Sequence, residues 1–280
     1  MCIAQGRFRS LAHGRDMDCE NRSLSALYDP ETTAAYEEDT KKRVNLMFMV
    51  PFSAPQDAEG KYFSEKCSLR VIPSLATLKL IIDSAPAYHS QAGALIVGDP
   101  DVSRLRGLGR LPAARQEAKE IAQLLNVSPF LGEQTTKEEV LRRITDVCLI
   151  HIAAHGDAER GEIACTPNPS SPQLPRKEDF MLTMEDIAKV SIRAKLVVLS
   201  CCHSGRGKIM KAEGVVGIAR AFTASRARSV LVAPWLLNDE STKELMIRFY
   251  RHLVHDKLSA SEALHQIGRA SCRERVSSPV

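Results

Sequence analysis

The chain has 280 residues, 44% of them hydrophobic, with 38 Lys and Arg against 34 Asp and Glu and a formal charge of +4. That is enough for one large domain or two small ones, and its basic side chains are interspersed with acidic ones, which argues against a nucleic-acid or membrane-surface role. Apolar runs fall well short of the ~18 residues that span a bilayer. Arg7, Arg9, Arg15, Asp16, Asp18 and Glu20 crowd the beginning of the chain without an apolar core, which is not the pattern of a signal peptide. The eight cysteines are scattered and form no CxxC pair. They read as free thiols in a reducing compartment, so a cytoplasmic location is expected.

Residues 1–42 are polar and aperiodic and read as a poorly ordered lead-in. Strands are expected at Val44 to Val50, ended by Pro51, and at Cys67 to Ile72, with Asp57 to Gly60 turning between them. Ser74 is placed to cap a helix bearing Leu75, Leu78 and Ile81. Ala94 to Val97 is an apolar strand that exits through Gly98-Asp99-Pro100. Glu117 to Leu125 has helical spacing, and Thr135 or Thr136 can cap a helix facing inward with Val140, Leu141 and Ile144. Val147 to Ala153 is a strand, and residues 157–180, with four prolines, read as a long exposed loop. A short helix at Met184 to Val190 precedes a strand at Leu196 to Ser200. Gly214 to Thr223 reads as helix, Ser229 to Ala233 as strand and Lys243 to Leu253 as helix. A further helix starts near Ser259 and is interrupted at Ile267. Residues 267–280 are aperiodic and read as a truncated or non-native tail. Short apolar strands alternating with helices predict an α/β domain over 43–266, with a mostly parallel sheet covered on both faces.

Two of these runs carry the chemistry. LIHIAAHG, Leu149 to Gly156, delivers His155, and LVVLSCCHSGRG, Leu196 to Gly207, delivers Cys202. In an open parallel sheet, ligands bind beyond the carboxyl ends of the strands. A thiol placed there needs a neighbouring base or positive field, and His155 is the candidate base. Gly156 lets the backbone approach a substrate, and the N–H groups of Gly156 and Cys202 are candidate oxyanion donors. Strand alternation turns Cys201 away from Cys202, which makes Cys201 a small buried hydrophobe. His151 lies within its strand and reads as a core histidine, and His203 as a loop residue. His151, His155, Cys201, Cys202 and His203 are all possible metal ligands, but alternation keeps them from converging, so no metal is expected. Gly205 to Lys208 lacks the spacing of a phosphate loop, and Ser204 lacks the GxSxG elbow.

Together these segments resemble the CHAT domain, a branch of the caspase-like cysteine peptidases. The resemblance runs from about Val50 to Gln266 and includes Gly60 to Ile81, ALIVGDP at Ala94 to Pro100, and Leu111 to Leu125. It continues through the His-Gly and cysteine segments to Gly214–Leu253. It implies a caspase-like fold, a catalytic histidine at His155 and a catalytic cysteine at Cys202. Many relatives have Ser-Ala-Cys where this chain has Ser200-Cys201-Cys202. The cysteine segment is also similar to that of metacaspases, which carry an Asp two residues before the nucleophile to bind a basic substrate side chain. Ser200 stands there instead. Asp99, Asp157, Ser200, Asp239 and Trp235 are candidates to line a substrate pocket, against the plainer readings of solvent-facing Asp and core Trp. The family has a longer stretch before its Pro-Phe motif, here Pro51-Phe52, so the first hairpin is shortened. Relatives carry tetratricopeptide repeats upstream, and none is seen in this chain.

The function expected from these residues is a cysteine endopeptidase cleaving protein or peptide substrates through Cys202 and His155, without a cofactor. The loop at 157–180 is either an activation-cleavage loop or a variable insertion. The competing expectation is a non-catalytic interaction module that keeps the fold beside helical repeats.

Overall fold

The structure is a computed structural model that describes residues 74–170, 175–204, 207–210, 214–233 and 237–277, with Glu59 and Ile72. The strand expected at Val44 to Val50, most of that at Cys67 to Ile72, and Trp235 lie outside these residues. Ser74 caps the helix α1 (Leu75–Asp83) by accepting from the Thr77 N–H. A 3-10 turn at Pro86–His89 leads to strand β1 (Ala94–Pro100). Helix α2 (Pro112–Leu125) then covers one face of the sheet. It begins earlier than its apolar period shows, because Pro112 supplies a helix-ready φ in the first turn. It ends at Asn126 in the left-handed region, with the Val127 N–H returning to the Ala122 carbonyl.

Strand β2 (Phe130–Gly132) is followed by α3 (Lys137–Arg143), which Thr136 caps. Thr135 is buried instead and donates to the Gly132 carbonyl. Strand β3 (Leu149–Ala154) carries the histidine segment, and β6 (Leu196–Cys201) the cysteine segment. Between them lie β4 (Ile163–Ala164), α4 (Lys177–Phe180), β5 (Met181–Leu182) and α5 (Met184–Ala188). After β6 come β7 (Lys208–Met210), β8 (Gly214–Val216), α6 (Ile218–Ala224), β9 (Val230–Val232), α7 (Asp239–Val254) and α8 (Ala260–Ser277).

Strands β2, β1, β3, β6 and β9 form one sheet in that order, and every pairing in it is parallel. Their near-continuous burial is what a parallel sheet with two covered faces requires. On one face, Leu95, Val97, Ile150, Ile152, Val197 and Leu199 pack with Val140 of α3, Ile187 of α5 and Phe222 of α6. On the other, Ile96, Val198 and Leu231 pack with Ile121 of α2, Phe249 and Tyr250 of α7, and Ala263 and Ile267 of α8. The expected α/β arrangement, a mostly parallel sheet with helices on both faces, is therefore the architecture found.

Three segments differ from expectation. Gly214 to Val216 is strand rather than helix and pairs antiparallel with β7. Its β-branched valines suit a ladder, and the helix starts only beyond Gly217. Residues 157–180 are not one exposed loop. β4 pairs with β5, and Glu162 to Pro167 are buried. The backbone runs on as helix through Ser277, past the point where apolar periodicity fades. Ser259 and Glu262 form the reciprocal cap at its start.

Candidate active site

Strands β3 and β6 are direct neighbours, in register through Ala154 and Cys201. The residues that follow, His155 and Cys202, therefore leave adjacent strand ends. The order β2-β1-β3 reverses direction between β1 and β3, and this switch point opens a crevice at the carboxyl ends of the strands. The loop after β1 and the exit of β3 both enter it.

The loop after β1 reaches His155. Its Nε2 lies 2.7 Å from the Gly109 carbonyl oxygen. A carbonyl can only accept, so Nε2 carries the proton and Nδ1 is left as the acceptor. This is the tautomer of a base that takes a proton at Nδ1.

Cys202 occupies the second position of a tight turn closed by the Ser204 N–H donating to the Cys201 carbonyl at 3.2 Å. His203 follows it with φ of +57°, a left-handed conformation uncommon outside glycine. Ser204 fixes this turn from within. Its buried hydroxyl donates to the Leu199 carbonyl at 2.9 Å and accepts from the Ala233 N–H at 3.1 Å. Ser204→Ala is expected to cost about 1–3 kcal/mol of unfolding free energy, because the Ala233 N–H loses its partner in a buried site. Urea unfolding checks this, and a cost below about 0.5 kcal/mol would show that the turn holds without the hydroxyl.

The Cys202 sulfur accepts from the Leu237 N–H at 3.4 Å and lies 3.8 Å from the Leu237 carbonyl oxygen. Thiol and imidazole are each held by backbone, and no hydrogen bond joins them among the described residues. In unliganded sites such contacts are commonly long and tighten with substrate. Gly156 is required by close approach. A Cβ there would stand 2.0 Å from the Cys202 carbonyl oxygen and 3.3 Å from Cys201 Cβ. Gly156 also bridges to Ile163, through the Ala164 N–H to the His155 carbonyl and the Asp157 N–H to the Glu162 carbonyl. Both bonds skip Gly156, so its own N–H is not used by this bridge.

The other thiols have different surroundings. Cys201 is buried on the opposite face and donates to the Ile152 carbonyl. Burial pushes its thiol well up, and pushes Cys165 up to about 12, so neither forms a thiolate near neutrality. Cys148 is partly exposed at the amino end of β3 and donates to the Gly93 carbonyl.

The pocket candidates are placed as follows. Asp157 is beside His155, and its carboxylate accepts from the N–H groups of Glu159 and Arg160 and from Lys177 Nζ at 3.1 Å. Burial opposes its ionisation, but these donors outweigh burial and hold the carboxyl below its ordinary range. Ser200 is buried within β6 opposite Ala153. Asp239 turns to another helix, accepting from the Ala113 N–H at the start of α2. Asp99 is 2% exposed, and its carboxylate is bound by Arg110, Arg115 and the Leu111 N–H. It therefore does not offer an open carboxylate to the crevice. A cavity of about 330 Å³ opens beside His155. Leu108, Ala164, Phe180 and Met181 make it apolar, and Asp157 and Lys177 stand at it as an ion pair. Among the described residues, no group of three or more His, Cys, Asp or Glu side chains is arranged to hold a metal ion. None of the described helices is long and apolar enough to cross a membrane.

Gly109, Ser204 and Leu237 were not expected from the sequence. Gly109 and Leu237 act through backbone atoms, which leave no residue signature. Ser204 does not fit the GxSxG pattern, and its partners, the Leu199 carbonyl and the Ala233 N–H, are backbone atoms.

Tetratricopeptide repeat protein 28 of Homo sapiens is 26% identical over 260 residues, covering 78% of this chain and 10% of that protein. The Mus musculus protein of the same name is 28% identical over 258 residues, with 77% and 10% covered. The chain thus spans about a tenth of the length of these relatives. Among solved structures, the Saccharomyces cerevisiae separase–securin complex aligns with a TM-score of 0.49 at 15% identity, covering 72% of this chain and 12% of that one. The complex of Porphyromonas gingivalis RgpB pro- and mature domains aligns with a TM-score of 0.46 at 11% identity, covering 72% and 48%. The CHAT domain family matches residues 44–276, most of the sequence, and the chain belongs to that family.

Proposed function

We propose that this chain is a cysteine endopeptidase domain that cleaves protein substrates with Cys202 and His155. The observation that carries the reading is the state of His155. With Nε2–H given to the Gly109 carbonyl, its free acceptor is Nδ1, on a strand end adjacent to that of Cys202. In the proposed reaction His155 Nδ1 takes the thiol proton as Cys202 Sγ attacks the scissile carbonyl carbon. The N–H groups of Gly156 and Cys202 stabilise the oxyanion. The imidazolium returns the proton to the leaving amine, and water then hydrolyses the thioester with His155 as base. No cofactor takes part. The apolar cavity beside His155 suits an aliphatic or aromatic substrate side chain. That agrees with Ser200 standing where a basic preference would call for Asp.

A second reading is favoured by one observation: the Cys202 sulfur is seated against the Leu237 backbone. In that reading the domain is a protein-interaction module that works beside tetratricopeptide repeats, with the thiol kept covered.

Labelling with a panel of acyloxymethyl-ketone peptides and mass mapping separates the two. The peptidase reading expects selective modification of Cys202, lost by a factor of at least about 100 in His155→Ala, with Cys148 as the internal control. Labelling of Cys202 no faster than of Cys148 in the folded protein, and unchanged by His155→Ala, sinks the peptidase and leaves the module.

A further inference from the structure

Asp99 is unusual in three respects. It is buried to 2% exposure at the carboxyl end of a central strand. Its φ is +46°, at the point where the β1–β2 register shifts between Gly98 and Pro100. Its carboxylate gathers one loop. Arg110 binds it through Nε at 3.2 Å and Nη2 at 2.7 Å, Leu111 donates its N–H at 2.9 Å, and Arg115 Nη1 lies at 3.3 Å. A carboxylate taken out of water must be compensated by such donors, and here each donor lies in the segment that runs from the loop into α2. The bidentate guanidinium contact also fixes direction as well as distance.

The residue immediately before this cluster is Gly109, whose carbonyl holds His155 Nε2. Asp99 therefore clamps both residues that follow Gly109 and sets where that carbonyl points. The carbonyl has no side chain of its own to position it, and Gly109 has open space where a Cβ would be.

We infer that Asp99 is a positioning residue: its buried carboxylate pins the loop after β1 so that the Gly109 carbonyl keeps His155 in the Nε2–H tautomer. Asp99 does not touch substrate. Its role in the reaction rests on the peptidase reading above, but its effect on the ring is independent of turnover.

The test therefore reads the ring directly. Long-range proton–nitrogen spectra report which nitrogen of each histidine carries the proton, and His155→Gln identifies the His155 signal. The native protein is expected to show His155 as the Nε2–H form. Asp99→Asn keeps an acceptor for the Leu111 N–H but removes the charge held by Arg110 and Arg115. It is expected to give a mixed tautomer population and a roughly 10–100-fold slower alkylation of Cys202 by a peptide ketone, the loss typical of an orienting partner. Arg110→Ala changes a half-exposed side chain and is expected to move both readouts the same way with folding intact. It carries the test if Asp99→Asn does not fold. An unchanged Nε2–H signal in the folded variants overturns the inference, since the loop would then be held without Asp99. If peptide ketones never label Cys202 in the native protein, the peptidase reading fails while the tautomer result still decides the clamp.

Discussion

Gly156→Ala is expected to abolish selective labelling of Cys202, lowering its rate by at least about 100-fold. The added methyl would sit 2.0 Å from the Cys202 carbonyl oxygen and 3.1 Å from its carbonyl carbon. Neither contact is with a flexible side-chain end, so the strand exits themselves must move apart. The displaced atoms belong to the residue bearing the thiol, and Gly156 directly follows the proposed base. A shift of about 1 Å between reacting groups is enough for a loss of this size. Overpacking of this kind also costs about 1–3 kcal/mol, which leaves a folded protein to assay. Rate measurements with a peptide ketone, beside a denaturation curve, check both parts. A variant that labels at the native rate would show that the two strand ends can separate without disturbing the site.

The largest stability loss is expected at Tyr250 of α7. Its ring is fully buried, packs edge-on against Phe249 and His151, and its hydroxyl is 3.1 Å from His151 Nδ1. Burial pushes the phenol well above its ordinary value, so it stays neutral and able to donate. On its other side His151 Nε2 lies 2.9 Å from Oε1 of the buried Glu117, off the line of a good hydrogen bond. The Tyr250 bond is therefore the well-formed polar contact of this trio. Tyr250→Ala is expected to cost about 3–5 kcal/mol, as for other large aromatic deletions. Tyr250→Phe keeps the ring and is expected to cost about 1–3 kcal/mol, the penalty for leaving a buried partner unsatisfied. Chemical denaturation of both variants divides packing from hydrogen bonding. Equal costs would mean that the hydroxyl, not the ring, holds α7 to β3.

His151 shows how far local pattern carries. Its place inside an apolar run marked it as a core histidine, and it is fully buried between α2 and α7. The partners that make burial tolerable, Glu117 and Tyr250, come from two helices distant in sequence. Nothing near His151 indicates them. Asp99 is the opposite case. Its position at a strand exit suggested a pocket, yet the structure supplies it with two guanidiniums from the next helix and its approach. An exposed role and a buried one look alike in a short GDP segment, since burial is a property of what packs above it.

Short elements differ from their local pattern for the same reason. Gly214 to Val216 has too few residues for a period to be measured, and its pairing with Lys208 to Met210 decides that it is strand. The prolines of 157–180 suggest an exposed loop, but the β4–β5 pairing buries Glu162 to Pro167 and sets Ala164 and Met181 at the cavity beside His155.

The sequence by itself determined the alternation of apolar strands and helices, the facing of Cys201 away from Cys202, and the two strand ends at which reactive side chains stop. These follow from periodicities of one strand or one helix, which are local. Only the tertiary structure decided that β3 and β6 are neighbours in register, that the His155 ring meets the Gly109 carbonyl, and that the Leu237 backbone contacts the thiol. Those depend on strand order and on backbone atoms of remote loops, and a backbone carbonyl is the same at every residue type.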